Sequence, residues 1–282
     1  LPSRWAEGVT CPEVTLAQIE EIIEAFAKTA ALCKEAGVDG VEVHAVHEGY
    51  LLDQFALKYT NHRTDNYGGS FENRYRFAVD IVKAIKGVCG QDYPVSIRYS
   101  AVSKVKDFCY GAMPGEEYEE IGRDLEEGRL AAKYLQDAGY DMLDADNGTY
   151  DSWYWSHPPM YMPLNCNLED VAAIREAVDI PVVCAGRMEP EDAARAIEAG
   201  HLAPVQVTAL QAEDEHLRRG EVRGHGHIVR VAQVQRLHDL LILPGVAVIR
   251  IGEQQHQIDL VIGDPGVPGK ELPPECKPYK YG

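Results

Sequence analysis

Apolar residues fall at helical spacing near the start of the chain. Ile19, Ile22, Ile23, Phe26, Ala30 and Cys33 share one face, Thr15 stands where an N-cap belongs, and Gly37 supplies a stop, so a helix is predicted over 15–36. The run Val38-Asp39-Gly40-Val41-Glu42-Val43-His44 follows as a short β-branched strand. The same alternation continues. A helix is predicted from about 71 to 86, a strand over 94–100, a helix around 117–138, a strand over 141–146, a helix over 168–177, a strand over 181–185 and a helix over 189–199 that stops at Gly200. A helix end marked by Gly or Asp and followed by an apolar strand recurs at Gly37, Gly139 and Asp179.

Regular βα alternation calls for a parallel sheet, because a helical crossover is the usual way to join parallel strands. The α/β class leaves two architectures, the closed barrel and the doubly wound sheet. No GxGxxG turn follows any strand, which counts against a dinucleotide-binding domain. Polar groups stand at the C-terminal ends of the strands, at His44, Arg98, Asp146 and Gly186-Arg187, where barrel enzymes carry their chemistry. The expected fold is therefore a partial (β/α)8 TIM barrel. Four strands are clear, and 205–208 is a weak fifth.

Composition narrows the class of partner. Of 282 residues, 45% are hydrophobic and 26% charged, as in a soluble globular protein. No apolar run approaches the roughly 20 residues of a membrane span, and the opening Leu1-Pro2-Ser3-Arg4-Trp5 lacks a secretory stretch, so a cytoplasmic location is expected. The seven cysteines are scattered, odd in number and never form CxxC, so neither a disulfide framework nor a metal or cluster site is expected. A net charge of -18 opposes binding to nucleic acid or an anionic membrane and leaves a small molecule as the expected partner. That charge is uneven. Residues 1–200 hold 18 basic against 35 acidic side chains, while 201–282 hold 9 against 10, with six of the ten histidines and a glutamine run at Gln254, Gln255 and Gln257. A boundary near 200 is expected, with a barrel segment before it and a segment of different origin after it.

Five places could carry chemistry. His44 ends its strand and His47 follows three residues later, so two imidazoles can approach one carbonyl or carboxylate oxygen and polarise it. Tyr50 is a candidate proton donor to a carbanion-like carbon. Two other readings of the histidines stand beside this one: buried side chains that satisfy loop backbone, and zinc ligands lacking a third partner nearby. Arg98 puts a fixed positive charge at a barrel mouth, suited to a flavin pyrimidine edge or to pairing with Asp144 or Asp146. Gly186-Arg187 has the form of a phosphate seat. The aromatic loop 150–161 could wall a substrate pocket or pack over the barrel rim. In the loop 61–74, Ser70 is placed to cap the next helix, Gly68-Gly69 to turn the chain, and Arg63, Asp65 and Arg74 to pair; His225-Gly226-His227 in the tail reads as a solvated loop.

The run His44-x-x-His47 with Gly49-Tyr50-Leu51-Leu52-Asp53-Gln54-Phe55, then Asn61-x-Arg63-Thr64-Asp65-x-Tyr67-Gly68-Gly69-Ser70 and Asn73-Arg74, resembles the old yellow enzyme family of FMN-dependent reductases. Val46-His47-Glu48-Gly49-Tyr50 and the loop 146–159 resemble its 2-enoate, bile-acid dienoyl and 2,4-dienoyl-CoA reductase branch. The resemblance covers about residues 1–200 and implies a barrel holding FMN, with strands 4 to 7 and a weak strand 8 present. It implies reduction by NADH or NADPH and hydride transfer to the β-carbon of an unsaturated carboxylate or acyl-CoA. His44 and His47 would hold the substrate oxygen, Tyr50 would supply the α-proton, Arg98 would face the flavin, and Gly186 and Arg187 would approach its phosphate. Commoner members read His-x-x-His-Gly-Tyr, so Glu48 is one extra residue ahead of Tyr50. Full-length relatives of the branch also carry an iron-sulfur cluster and FAD, whose motifs are absent from this sequence. The family's first strands would precede Leu1, so a second copy or a barrel-completing partner is a further expectation. The alternatives are a barrel remnant unable to hold FMN alone and an oxidative amine demethylase on the same scaffold.

Overall fold

The computed structural model describes residue 3 and residues 8–46, 51–202 and 246–247. In chain order, α1 (Leu16–Glu35) leads into β1 (Val41–His44), and α2 (Leu51–Ala56) and α3 (Phe71–Cys89) lead into β2 (Val95–Ser100). A hairpin of β3 (Val105–Asp107) and β4 (Tyr110–Gly111), then α4 (Leu125–Ala138), precedes β5 (Met142–Asp146). A 3-10 turn (Tyr150–Ser152), α5 (Trp153–Ser156) and α6 (Leu168–Ala177) precede β6 (Val182–Cys184), which α7 (Pro190–Glu198) follows.

The strands β1, β2, β5 and β6 are parallel and lie side by side in sequence order. Each new strand adds on the same side as the last. A doubly wound sheet reverses direction and binds its ligand at the reversal, whereas a barrel wall keeps winding one way. This sheet therefore has the winding of a barrel wall. β7 (Val246–Ala247) pairs antiparallel with β1 on its other edge.

The two faces of the sheet differ in chemistry. Val41, Val43, Val95, Ile97, Tyr99, Leu143, Ala145, Val182 and Cys184 are buried in one core with helix residues such as Ile19, Phe77, Ile81, Ile85, Leu135 and Ile174. Side chains alternate across a strand, so the residues between them face the barrel interior. Those residues are Glu42, His44, Ser96, Arg98, Met142, Asp144 and Asp146. Parallel strands buried on both faces usually read as continuous apolar runs. Here the interior face is polar apart from Met142 and Val183.

The helix starts follow from capping. Thr15 accepts from the Gln18 amide and Gln18 returns a side-chain oxygen to the Thr15 amide, a capping box that opens α1. Ser70 caps α3 through the Asn73 amide. α3 runs three residues past the expected end, to Cys89. The helix expected around 117–138 starts only at Leu125, where Asp124 caps the Glu127 amide. The acid-rich stretch before it is drawn into the loop instead, because Glu120 accepts from the Val105 and Gly122 amides and the Tyr118 hydroxyl. The weak strand at 205–208 and His225, Gly226 and His227 lie outside the described residues. Among the described residues, no helix is long and apolar enough to cross a membrane, and no group of three or more metal-ligand side chains gathers.

The loop 61–70 is built as expected in part. Arg63 pairs with Asp65 at 2.6 Å and donates to the Val14 carbonyl, and Asn61 donates to the carbonyls of Phe55 and Tyr67. Arg74 does not join that pair; it turns to Glu127 and the Ala56 carbonyl. Gly69 takes φ +82, and a Cβ on Gly68 would sit 2.3 Å from the Arg63 carbonyl oxygen. Gly68→Ala is expected to cost roughly 1–3 kcal/mol, since backbone rather than a flexible side chain must give way; urea denaturation would measure it.

Candidate active site

The strand registers bring the expected side chains into one row. His44 ends β1 beside Arg98 on β2, and Arg98 lies beside Asp144 on β5. One step further, Asp146 accepts from Arg98 Nη2 at 2.9 Å and is itself 1% exposed. One step back, Glu42 accepts from the Ser96 hydroxyl at 2.8 Å. The guanidinium of Arg98 is only partly used: its Nε is buried with no hydrogen-bond acceptor among the described residues. A charge-assisted donor left open in this way is suited to an electron-rich ligand edge.

Three carboxylates around one guanidinium perturb one another. Burial alone would lower the Arg98 pKa, but Asp146 and Asp144 more than reverse this and keep it charged. Burial raises the Glu42 carboxyl, with the Ser96 bond and Arg98 opposing. Asp144 is pushed up to about 7, first by burial and then by Glu42. A carboxyl raised in the folded state stabilises most when protonated, so its contribution is full below the ordinary carboxylate range and fades as pH rises toward 7. Asp144→Asn should therefore flatten the loss of stability between about pH 4 and pH 7 and raise stability at pH 8 by on the order of 1 kcal/mol. Thermal melts of both proteins across that range check the sign.

His47 and Tyr50 lie outside the described residues, between Val46, which is buried, and the start of α2 at Leu51. Gly186 and Arg187 follow β6 with φ +132 and +47. The space beside Gly186 is taken by Asn167, whose Nδ2 would lie 2.4 Å from an added Cβ. The Arg187 guanidinium donates to the carbonyls of Met160 and Met162. This side chain therefore clasps the loop after α5.

Part of the aromatic loop packs over the barrel rim, one of the two roles open to it. Trp155 is buried, donates from Nε1 to the Ala112 carbonyl at 2.7 Å and lies under Lys104, so it packs the rim. Trp153 stacks on His157 with ring centroids 4.9 Å apart and is half exposed, as are Met160 and Tyr161 more fully. Two parts of the site were not anticipated. Glu42 lines the interior one step from Arg98, and Arg123 and Asp53 form a buried pair. Asp53 within Leu51-Leu52-Asp53-Gln54-Phe55 was the visible signal: an acid among apolar residues needs a buried partner.

Comparison with known proteins places this geometry. Residues 5–205 match the model of the NADH:flavin oxidoreductase / NADH oxidase family. Over 201 residues the chain is 56% identical to cinnamate reductase of Clostridium sporogenes, a span of 71% of this chain and 30% of that protein. Among solved structures, a 2-naphthoyl-CoA reductase complex superposes with a TM-score of 0.58 at 31% identity, covering 68% of this chain and 27% of that one. The old yellow enzyme homologue from Zymomonas mobilis superposes at 0.51 with 27% identity, covering 67% of this chain and 47% of that one. The chain thus spans less than a third of the length of the cinnamate reductase it resembles, and its sheet is an arc of the (β/α)8 barrel. The chain belongs to the NADH:flavin oxidoreductase / NADH oxidase family.

Proposed function

We propose that this arc carries the substrate side of an FMN-dependent ene-reductase that reduces the double bond of an α,β-unsaturated carboxylate at the expense of NADH. The observation that supports it most is the polar interior face, where Arg98 has a buried Nε without an acceptor beside the strand end at His44. That donor fits the pyrimidine edge of FMN, whose oxygens and nitrogens accept hydrogen bonds and gain negative charge on reduction. Because the Arg187 guanidinium is engaged with loop carbonyls, the part of Gly186-Arg187 offered to the cofactor phosphate is its backbone. When bound there, FMN would supply the redox chemistry that links NADH oxidation to hydride delivery at the substrate β-carbon.

The chain's own residues do the rest. His44 and His47 donate to the substrate carboxylate, drawing electron density away from the β-carbon as hydride arrives. Tyr50 gives its phenolic proton to the α-carbon and regains one from solvent. The balance is complete: NADH, one proton and the enoate yield NAD+ and the saturated acid. Glu42, Asp144 and Asp146 keep Arg98 charged and fixed in the row. The exposed face of Trp153, Met160 and Tyr161 suits an aryl group at the far end of the substrate, which agrees with the likeness to a cinnamate reductase. Aryl acyl-CoA thioesters present the same conjugated carbonyl and are the second substrate class, favoured by the likeness to 2-naphthoyl-CoA reductase.

The test is anaerobic turnover of the FMN-loaded chain with NADH and cinnamate. Formation of 3-phenylpropanoate one-for-one with NADH oxidised is the expected result. NADH oxidation that ignores cinnamate and its CoA thioester alike would overturn the proposal.

A further inference from the structure

Two parts of the proposed site that are remote in sequence meet on a side chain the chemistry above does not use. Arg123 stands in the coil before α4 and is 2% exposed. Its Nη2 donates to Asp53 Oδ1 at 2.9 Å, its Nη1 to the Ser100 carbonyl at 2.7 Å and its Nε to the Tyr75 hydroxyl at 2.8 Å. The rings of Tyr75 and Tyr99 lie against it with centroids 5.6 and 5.1 Å away. Asp53 is in α2, three residues after Tyr50, and Ser100 ends β2, two residues after Arg98. A second arginine grips the other end of α2. Arg74 donates to the Ala56 carbonyl and pairs with Glu127 at 2.8 Å, and Glu127 accepts in turn from Tyr75 at 3.3 Å.

A buried ion pair is a poor way to gain stability, because desolvation offsets most of the attraction and a well-packed apolar pair serves as well. What a guanidinium adds is direction: a rigid planar fork fixes several acceptors relative to one another. The opposite end of the strands uses a different device. There Lys86, a point charge on a flexible stem, bonds Asp141 at 2.6 Å and the carbonyls of Gln91 and Tyr93. Barrel enzymes place no chemistry at that end. The planar fork stands where alignment matters.

We infer that Arg123 is a positioning residue: it fixes α2, the helix that follows Tyr50 in sequence, against the end of the strand that carries Arg98. The inference rests on the reading that these two places form one active site. Arg123→Lys keeps a charge beside Asp53 and loses the fork, and Asp53→Asn keeps an acceptor and loses the charge. In the FMN-loaded full chain, flavin reduction by NADH and reoxidation by cinnamate are timed separately, and hydrogen exchange is followed by peptide. Both variants are expected to retain flavin, with the NADH step within about twofold and the cinnamate step at least about tenfold slower, because a misplacement of about 1 Å has such effects on reacting groups. Exchange is expected to rise over 45–56 and 98–103 and to stay unchanged over 182–184. Lys86→Met, which removes a buried cation from a half-exposed partner at the opposite end of the strands, is expected to lower the melting temperature while leaving both steps at the wild-type rate.

The inference is overturned if the Arg123 and Asp53 variants behave like Lys86→Met, or if both steps fall together with loss of flavin. Should the wild-type chain reduce no enoate, the functional reading fails and exchange alone decides the inference. Increases confined to 45–56 and 98–103 uphold it; unchanged or global exchange overturns it.

Discussion

Tyr50→Phe is expected to slow enoate reduction by about two to four orders of magnitude, the usual worth of a placed general acid, while NADH-driven flavin reduction stays near the wild-type rate. Phenylalanine keeps the ring and removes only the proton. The first half-reaction moves a hydride from NADH and needs no proton at the substrate α-carbon, so the two steps should separate cleanly in a stopped-flow experiment. Glu48 makes this variant informative in a second way. Glu48 stands between His47 and Gly49-Tyr50, and the variant reports whether the phenol still reaches the α-carbon across that insertion. A loss smaller than about tenfold would mean that the insertion has moved Tyr50 out of range and that another group or water delivers the proton.

Arg123→Met should have the largest effect on the fold. Asp53 is 1% exposed and pairs with the Arg123 guanidinium at 2.9 Å. Removing the guanidinium leaves a carboxylate in a site that burial makes hostile to charge, at a cost of roughly 3–5 kcal/mol. The neutral pair made by adding Asp53→Asn should recover a substantial part of that loss, because no net charge then remains buried. Urea unfolding of the two singles and the double gives the coupling directly. Additive costs would mean that Arg123 acts mainly through packing against Tyr75 and Tyr99, whose rings flank it.

The elements with explicit stops were legible in the sequence. α1 carries a capping box at one end and Gly37 just past the other, and its apolar face follows the helical period throughout. The hairpin at 105–111 was not legible, since strands of three and two residues carry no measurable period. Its left-handed turn residue is Cys109 at φ +66, so the glycine or asparagine that usually announces such a turn is missing. The start of α4 was misplaced because Glu120 spends its carboxylate on amides of its own loop, among them one fifteen residues earlier, a tertiary contact that local propensity does not register.

Much the same holds for the site. Arg98 beside Asp146 was visible as a pairing option, because both end strands of the alternating pattern. The polar interior was also written there. Glu42 between Val41 and Val43, and Asp144 between Leu143 and Ala145, alternate with the core residues and had only to be read as a second face. The fate of Arg187 was not visible. Its guanidinium meets carbonyls twenty-five and twenty-seven residues earlier, and nothing in a Gly-Arg pair distinguishes a phosphate seat from a loop clasp.

The central claim is that the row of His44 and Arg98 and the segment ending at Tyr50 together present an enoate to a bound flavin. A single-turnover experiment tests it most directly. The FMN-loaded chain is bleached anaerobically with one equivalent of a chemical reductant, then mixed with cinnamate, and the visible flavin band is followed while product is quantified. Recovery of the band, with one saturated acid formed per flavin, is the result this account predicts. A band that stays bleached in the presence of cinnamate and its CoA thioester, but recovers on admitting oxygen, would contradict it.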